Sequence, residues 1–189
     1  MVGIVKGCGQ QKNYEEWMDR LGLEHVVIDE KSDYSVIDIV VFCGGPDLGV
    51  DAERDETDRR VYEICRNRRL PMLGICRGMQ EIAVMMGSRL IDDLGERNGT
   101  HQADGDNSRF HEMRLSNGRT MRVNSRHHQA VEDEPFECTI KGVSEDGVNE
   151  LFYSGSMGVL LVQGHPERMD VAGSDFERMC GEFLRMFLG

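Results

Sequence analysis

The stretch PMLGICRGMQEIAVMMG, residues 71–87, reads as a buried strand, an abrupt turn and a helix. Met72, Leu73 and Ile75 form a short apolar run that stops at Gly74-Ile75-Cys76-Arg77-Gly78, and Met79, Ile82, Ala83 and Met86 then recur at helical spacing. That succession predicts an α/β sheet with Cys76 at the carboxyl end of a strand. G-x-C-x-G is the cysteine form of a nucleophile elbow, in which flanking glycines let a strained turn close and present the nucleophile. A thiol placed there lies at a helix N-terminus, whose partial positive charge favours the thiolate. In isolation the pattern fits an ordinary buried cysteine at a strand end equally well.

Upstream, residues 2–6, 25–28 and 37–43 are further apolar strand candidates. Asn13 is positioned to cap a helix carrying Trp17, Met18 and Leu21, with Gly22 as its stop. Residues 51–69 read as a helix with Val61, Ile64 and Cys65 inward. The alternation predicts a mostly parallel central sheet with helices on both faces. Gly7-Cys8-Gly9 lacks a third glycine at Lys12, so a plain turn is expected and not a dinucleotide fingerprint. In open α/β sheets ligands gather at the carboxyl ends of strands, so Cys43-Gly44-Gly45-Pro46-Asp47 should face Cys76. Its glycines suit either an oxyanion-binding backbone N–H or a turn needing positive φ. Arg54-Asp55-Glu56 either tethers this loop or is a solvated helix end.

Downstream the pattern changes, and residues 89–94 give way to 95–107, an irregular polar loop. Residues 109–115 and 120–125 flank Asn117-Gly118 and predict an antiparallel hairpin. Strands at 138–143 and 148–153 turn at Glu145-Asp146-Gly147, a last strand covers 158–163, and a helix over 175–187 closes the chain.

At 189 residues, one domain over 1–189 is expected. The apolar fraction of 39% and charged fraction of 30% are those of a globular protein, and no run approaches the ~20 apolar residues of a bilayer span. The N-terminus lacks a signal-peptide pattern, so no membrane association and a cytoplasmic location are expected. The six cysteines are scattered without a C-x-x-C pair and are expected to be free thiols. With 34 acidic against 22 basic residues the chain carries −12, which argues against a nucleic-acid partner. His101, His111, His127 and His128 fit no zinc spacing, so neither a metal nor a cofactor is expected.

An elbow cysteine needs a base and an orienting acid. Gln163-Gly164-His165-Pro166-Glu167 follows the last strand, and in extended backbone His165 and Glu167 would point to one side. Glu167 could then fix the imidazole tautomer while the other ring nitrogen faces the thiol.

CGGPD, GICRGMQ and QGHPE, in that order, resemble the class I glutamine amidotransferase family over most of the chain. The resemblance implies a flavodoxin-like α/β sheet with an added antiparallel hairpin region. It implies Cys76 as nucleophile, His165 as general base and acid, and Glu167 as orienting carboxylate. The oxyanion donors would be the backbone N–H groups of Gly45 and Arg77, and Gln80 would contact the glutamyl group. Arg77 after the cysteine and Val123-Asn124-Ser125-Arg126-His127-His128-Gln129 are similar to the γ-glutamyl-GABA hydrolase branch, which would place Ser125, His127 and His128 at the substrate. The implied activity is hydrolysis of a γ-glutamyl amide through a thioester; the alternative is a glutaminase subunit feeding ammonia from glutamine to a separate synthetase. Departures from that branch are a short stretch between Gly45 and Pro71 and Gly164 in place of an aromatic residue, which imply a different pocket for the leaving amine.

Overall fold

The apolar run before Cys76 becomes an interior strand of a nine-stranded sheet. The computed structural model describes residues 1–7, 10–103, 109–169 and 173–188. Its elements are β1 (Val2–Val5), α1 (Gln11–Leu21), β2 (His25–Ile28), β3 (Ile39–Phe42), α2 (Ala52–Arg68), β4 (Met72–Ile75), α3 (Arg77–Met85), β5 (Leu90–Ile91), α4 (Asn98–His101), β6 (Arg109–Leu115), β7 (Thr120–Ser125), β8 (Ala130–Val131), β9 (Ile140–Ser144), β10 (Asn149–Ser154), β11 (Val159–Val162) and α5 (Asp175–Arg185). The sheet order is β2-β1-β3-β4-β11-β10-β9-β6-β7. The first five strands are parallel and the remaining pairs antiparallel. β5 and β8 form a separate two-stranded ladder.

Alternation along the central strands builds two cores. Ile4, Ile39, Val41, Leu73, Ile75 and Val162 meet Trp17 and Met18 of α1 and Phe176, Phe183 and Leu184 of α5 on one face. Val40, Phe42, Met72 and Leu161 meet Val61 and Cys65 of α2 and Met79, Ile82 and Ala83 of α3 on the other. Burial on both faces explains why these strands read as unbroken apolar runs.

Several expectations need correction. Asn13 lies inside α1; Gln10 is the N-cap and has no side-chain cap bond, whereas Gly22 does end the helix in left-handed geometry. Residues 89–94, given no element from sequence, contain the short strand β5, whose partner β8 had no sequence signal either. The polar segment after it forms a 3₁₀ turn at Gly95–Arg97 and then α4, because Asp93 accepts from the Gly95 N–H and from Asn98 and so starts the turn. The rest of that loop, residues 104–108, and Cys8-Gly9 of the first glycine turn lie outside the described residues. Among the described residues Cys65, Cys76, Cys138 and Cys180 are free thiols, and no helix is long and apolar enough to cross a membrane.

The elbow glycines act through space, not through φ. A Cβ on Gly78 would lie 2.3 Å from the Phe42 carbonyl oxygen, and one on Gly74 would lie 2.8 Å from that of Gly78. Helix α3 thus touches the backbone of β3. Gly78→Ala should destabilise the protein by about 3 kcal/mol or more, since backbone and not a flexible side chain must give way. Gly99→Ala, which would meet nothing within 4 Å, should be tolerated. Urea unfolding of the two variants compares these outcomes.

Candidate active site

Cys76 caps the N-terminus of α3 with φ 52° and ψ −110°. A non-glycine residue held there stores strain of about 1–3 kcal/mol. The turn is held because the Cys76 N–H donates to Val162 O at 2.8 Å, tying the elbow to the end of β11. The Cys76 side chain is 8% exposed, and Gln163 Nε2 lies 3.5 Å from its sulfur.

The chain leaving β11 brings His165 to this thiol. Asn124, on β7, clamps the His165 backbone from both sides: its Oδ1 accepts from His165 N at 2.8 Å and its Nδ2 donates to His165 O at 2.9 Å. Gly164 permits this approach, because a Cβ there would lie 2.8 Å from Asn124 O and 3.1 Å from the Phe176 ring. An aromatic residue at 164 has no room, so that departure has a packing cause. Pro166–Arg168 is a 3₁₀ turn and not the extended segment expected, yet it returns Glu167 to the ring, with His165 Nδ1 2.7 Å from Glu167 Oε1.

The imidazole bonds Glu167 through Nδ1 and shares the cleft wall with the Cys76 sulfur. Burial opposes a charge on the ring, but the negative groups on both sides outweigh it and push His165 up to about 10. Burial likewise resists ionisation of Glu167, while His165 and Arg168 hold its carboxyl below the ordinary range. The favoured state is an imidazolium between a carboxylate and a sulfur.

Cys76 and His165 line a cleft of about 280 Å³ with Tyr14, Gly44, Gly45, Arg126 and Arg168. Gly44 N–H donates to the Tyr14 hydroxyl at 2.8 Å, leaving the next amide, Gly45, without a hydrogen-bond partner among the described residues. Arg77 N–H, at the first position of α3, has no intrahelical acceptor. The two amides suggested by the sequence therefore remain available as donors.

The Arg77 side chain turns away from the cleft. Its stem passes under Gly45, and its buried guanidinium bonds Asp55, Asp58 and Glu81, the last at 2.7 Å. Asp55 also accepts from Gly49 N–H at 2.9 Å, so this network does tether the glycine loop. Asp58 in turn accepts from Arg54 Nε at 2.7 Å. Burial, with Asp58 beside it, pushes the Glu81 carboxyl up to about 9. The folded state then holds a proton that the unfolded state has lost, so stability should fall as pH rises from the ordinary glutamate range toward 9. Glu81→Gln should flatten that decline, read from urea midpoints between pH 5 and 9.

Other expected site residues lie elsewhere. Gln80 is buried and its Nε2 donates to Gln129 O at 2.9 Å and to Gln163 Oε1 at 3.1 Å, so it supports Gln163 behind the thiol and does not line the cleft. Ser125 and His127 are buried beside His101, with Ser125 Oγ donating to His101 O at 2.8 Å and His127 Nδ1 to Gln129 O at 2.9 Å. His128 pairs with Asp47 at 3.0 Å, outside the cleft lining. Arg126, between the two residues favoured from sequence, is the one that reaches the cleft. Tyr14, Gln163 and Arg168 were also missed; Tyr14 shares a helical face with Trp17, Met18 and Leu21, and the other two flank the His-Pro-Glu segment.

A cysteine on a strained elbow, a histidine between it and a carboxylate, and a free amide opposite are the parts of a thiol-dependent acyl-transfer site. Residues 34–167 match the Peptidase C26 family. The chain belongs to this family of class I glutamine amidotransferases. A glutamine amidotransferase-like protein of Lactococcus lactis is 27% identical over 162 residues, covering 72% of this chain and 69% of that protein. The gamma-glutamyl-CDP-amidate hydrolase of Campylobacter jejuni is 28% identical over 139 residues, covering 70% of this chain and 64% of that one. A solved glutamine amidotransferase of Thermotoga maritima shares the fold, with a TM-score of 0.68 at 17% identity, covering 88% of this chain and 75% of that chain. The family membership identifies a glutamine amidotransferase-like hydrolase acting on C–N bonds, and the five parallel strands with an antiparallel extension are its fold.

Proposed function

We infer that the protein hydrolyses a γ-glutamyl amide through a thioester on Cys76. The observation that carries this reading is the single imidazole, His165, bonded to Glu167 and lining the same small cleft as the Cys76 sulfur. The thiolate attacks the γ-carbonyl carbon, and the oxyanion is received by the Gly45 and Arg77 amides. As the C–N bond breaks, the imidazolium gives its proton to the departing amine. Neutral His165 then takes a proton from water, the hydroxide attacks the thioester, and glutamate and the thiolate are released. Glu167 keeps the ring oriented and stabilises its charged form. Arg126 and Arg168 supply positive charge within the cleft and suit the α-carboxylate of the glutamyl group.

Purified protein incubated with glutamine and a panel of γ-glutamyl amides tests this. Glutamate release from at least one of them, without another protein, is expected. Glutamine hydrolysis that appears only with an added synthetase would favour the ammonia-donating alternative. Failure to turn over any γ-glutamyl amide under either condition would overturn both.

A further inference from the structure

Three histidines that follow no metal-binding spacing converge on one buried carboxylate. His101 ends α4, His111 lies on β6, His127 follows β7, and Glu150 is on β10. His101 Nδ1 and His111 Nε2 each lie 3.2 Å from Glu150 Oε1, and His127 Nε2 lies 3.6 Å from it. The four side chains are at most 8% exposed.

These close ion-pair approaches mostly lack the alignment of a good hydrogen bond. Neither Glu150 oxygen, neither His111 ring nitrogen, nor His127 Nε2 has a hydrogen-bond partner among the described residues. Orphaned groups of this kind are costly in a protein interior. The outer nitrogens of two rings are already committed. His127 Nδ1 donates to Gln129 O at 2.9 Å, and His101 Nε2 donates to Asp146 at 3.0 Å, whose carboxylate also accepts from Ser144 at 2.6 Å. In a neutral imidazole the second nitrogen then carries a lone pair, and both lone pairs face an ionised carboxylate. Acceptors aimed at acceptors must be bridged by a positive charge, either a proton on the rings or a metal ion. A backbone carbonyl or carboxylate fixing the far nitrogen is also the arrangement that orients metal-ligating histidines.

We propose that His101, His127 and Glu150, with His111 beside them as the nearest further donor, bind one divalent transition-metal ion of the zinc type. Glu150 and Asp146 would balance its charge. The ligand atoms of His101, His127 and Glu150 lie within 4.8 Å of one another. A tetrahedron of ~2.0–2.1 Å bonds has edges of about 3.4 Å, so loading draws these groups inward. With three ligands converging, His111 3.2 Å from Glu150 Oε1 to complete the set, and the site buried, the ion is structural. It pins α4, β6 and β10 to the segment after β7. Gln129 O, which accepts from His127, also accepts from Gln80, and Gln80 holds Gln163 against the Cys76 sulfur. The site thereby braces the wall of the cleft from behind, whichever substrate the cleft accepts.

The test is titration of the chelator-stripped full chain with Co²⁺ alone, followed by absorption and equilibrium dialysis, in wild type and in Cys76→Ser. One equivalent should bind in both, with the intense visible bands of four-coordinate cobalt, no thiolate-to-cobalt charge-transfer band, and displacement by Zn²⁺. Glu150→Gln should abolish binding. Asp146→Asn, which alters only the residue orienting His101, should weaken it by roughly 10–100-fold and so keeps the test decisive if Glu150→Gln does not fold. No binding by wild type would overturn the proposal and leave an imidazolium–carboxylate network in its place. Binding lost in Cys76→Ser, or unchanged in both Glu150→Gln and Asp146→Asn, would overturn it equally.

Discussion

Cys76→Ala should lower γ-glutamyl amide turnover by roughly 10⁵–10⁶-fold, the loss seen when a nucleophile is removed from a triad that acts as a unit. Alanine keeps the Cβ, so it keeps the positive φ of 52° and its strain, and the fold should be nearly unchanged. Glycine at this position should be equally inactive yet more stable than Cys76→Ala by about 1–3 kcal/mol, because the strained conformation costs glycine little. The pair separates chemistry from architecture: activity falls in both, and stability rises only in one. Steady-state kinetics with urea unfolding of the two variants measures both quantities. Equal stability would mean that the elbow is not strained.

Glu167→Gln should lower kcat by about 10⁴-fold while leaving KM little changed, as expected when the orienting acid of a triad loses its charge but keeps its shape. Glu167 is buried, and its main contact is the 2.7 Å bond to His165 Nδ1. An amide there no longer supports the imidazolium, so the His165 ring should titrate well below the value of about 10 it reaches beside a carboxylate and a sulfur. NMR titration of the ring nitrogens reads that change directly. A variant with unchanged histidine titration and unchanged kcat would remove Glu167 from the mechanism.

The parallel half of the fold was legible because its strands are buried on both faces and its helices carry apolar residues at helical spacing. The elbow and the His-Pro-Glu segment were legible because each brings its chemistry within a few residues. What escaped depends on pairing across the chain. Ser125 and His127 belong to the right segment, but the intervening Arg126 faces the cleft, and strand alternation alone does not say which of two faces meets the substrate. Gln80 carries a suitable side chain on the right helix, yet Gln129 and Gln163 claim its amide from inside. From sequence Arg77 has a backbone role only, and nothing local to it shows that its partners Asp55, Asp58 and Glu81 on α2 and α3 draw the side chain beneath the glycine loop. The histidine–Glu150 cluster is assembled from four separate segments, so no local spacing could reveal it.

Mass spectrometry of the protein quenched during turnover of a γ-glutamyl amide tests the central claim most directly. A single γ-glutamyl mass increment on the peptide containing Cys76, absent from every other cysteine peptide and from Cys76→Ser, is the predicted result. Glutamate production that continues in Cys76→Ala, or an acyl group found on a different residue, would contradict it.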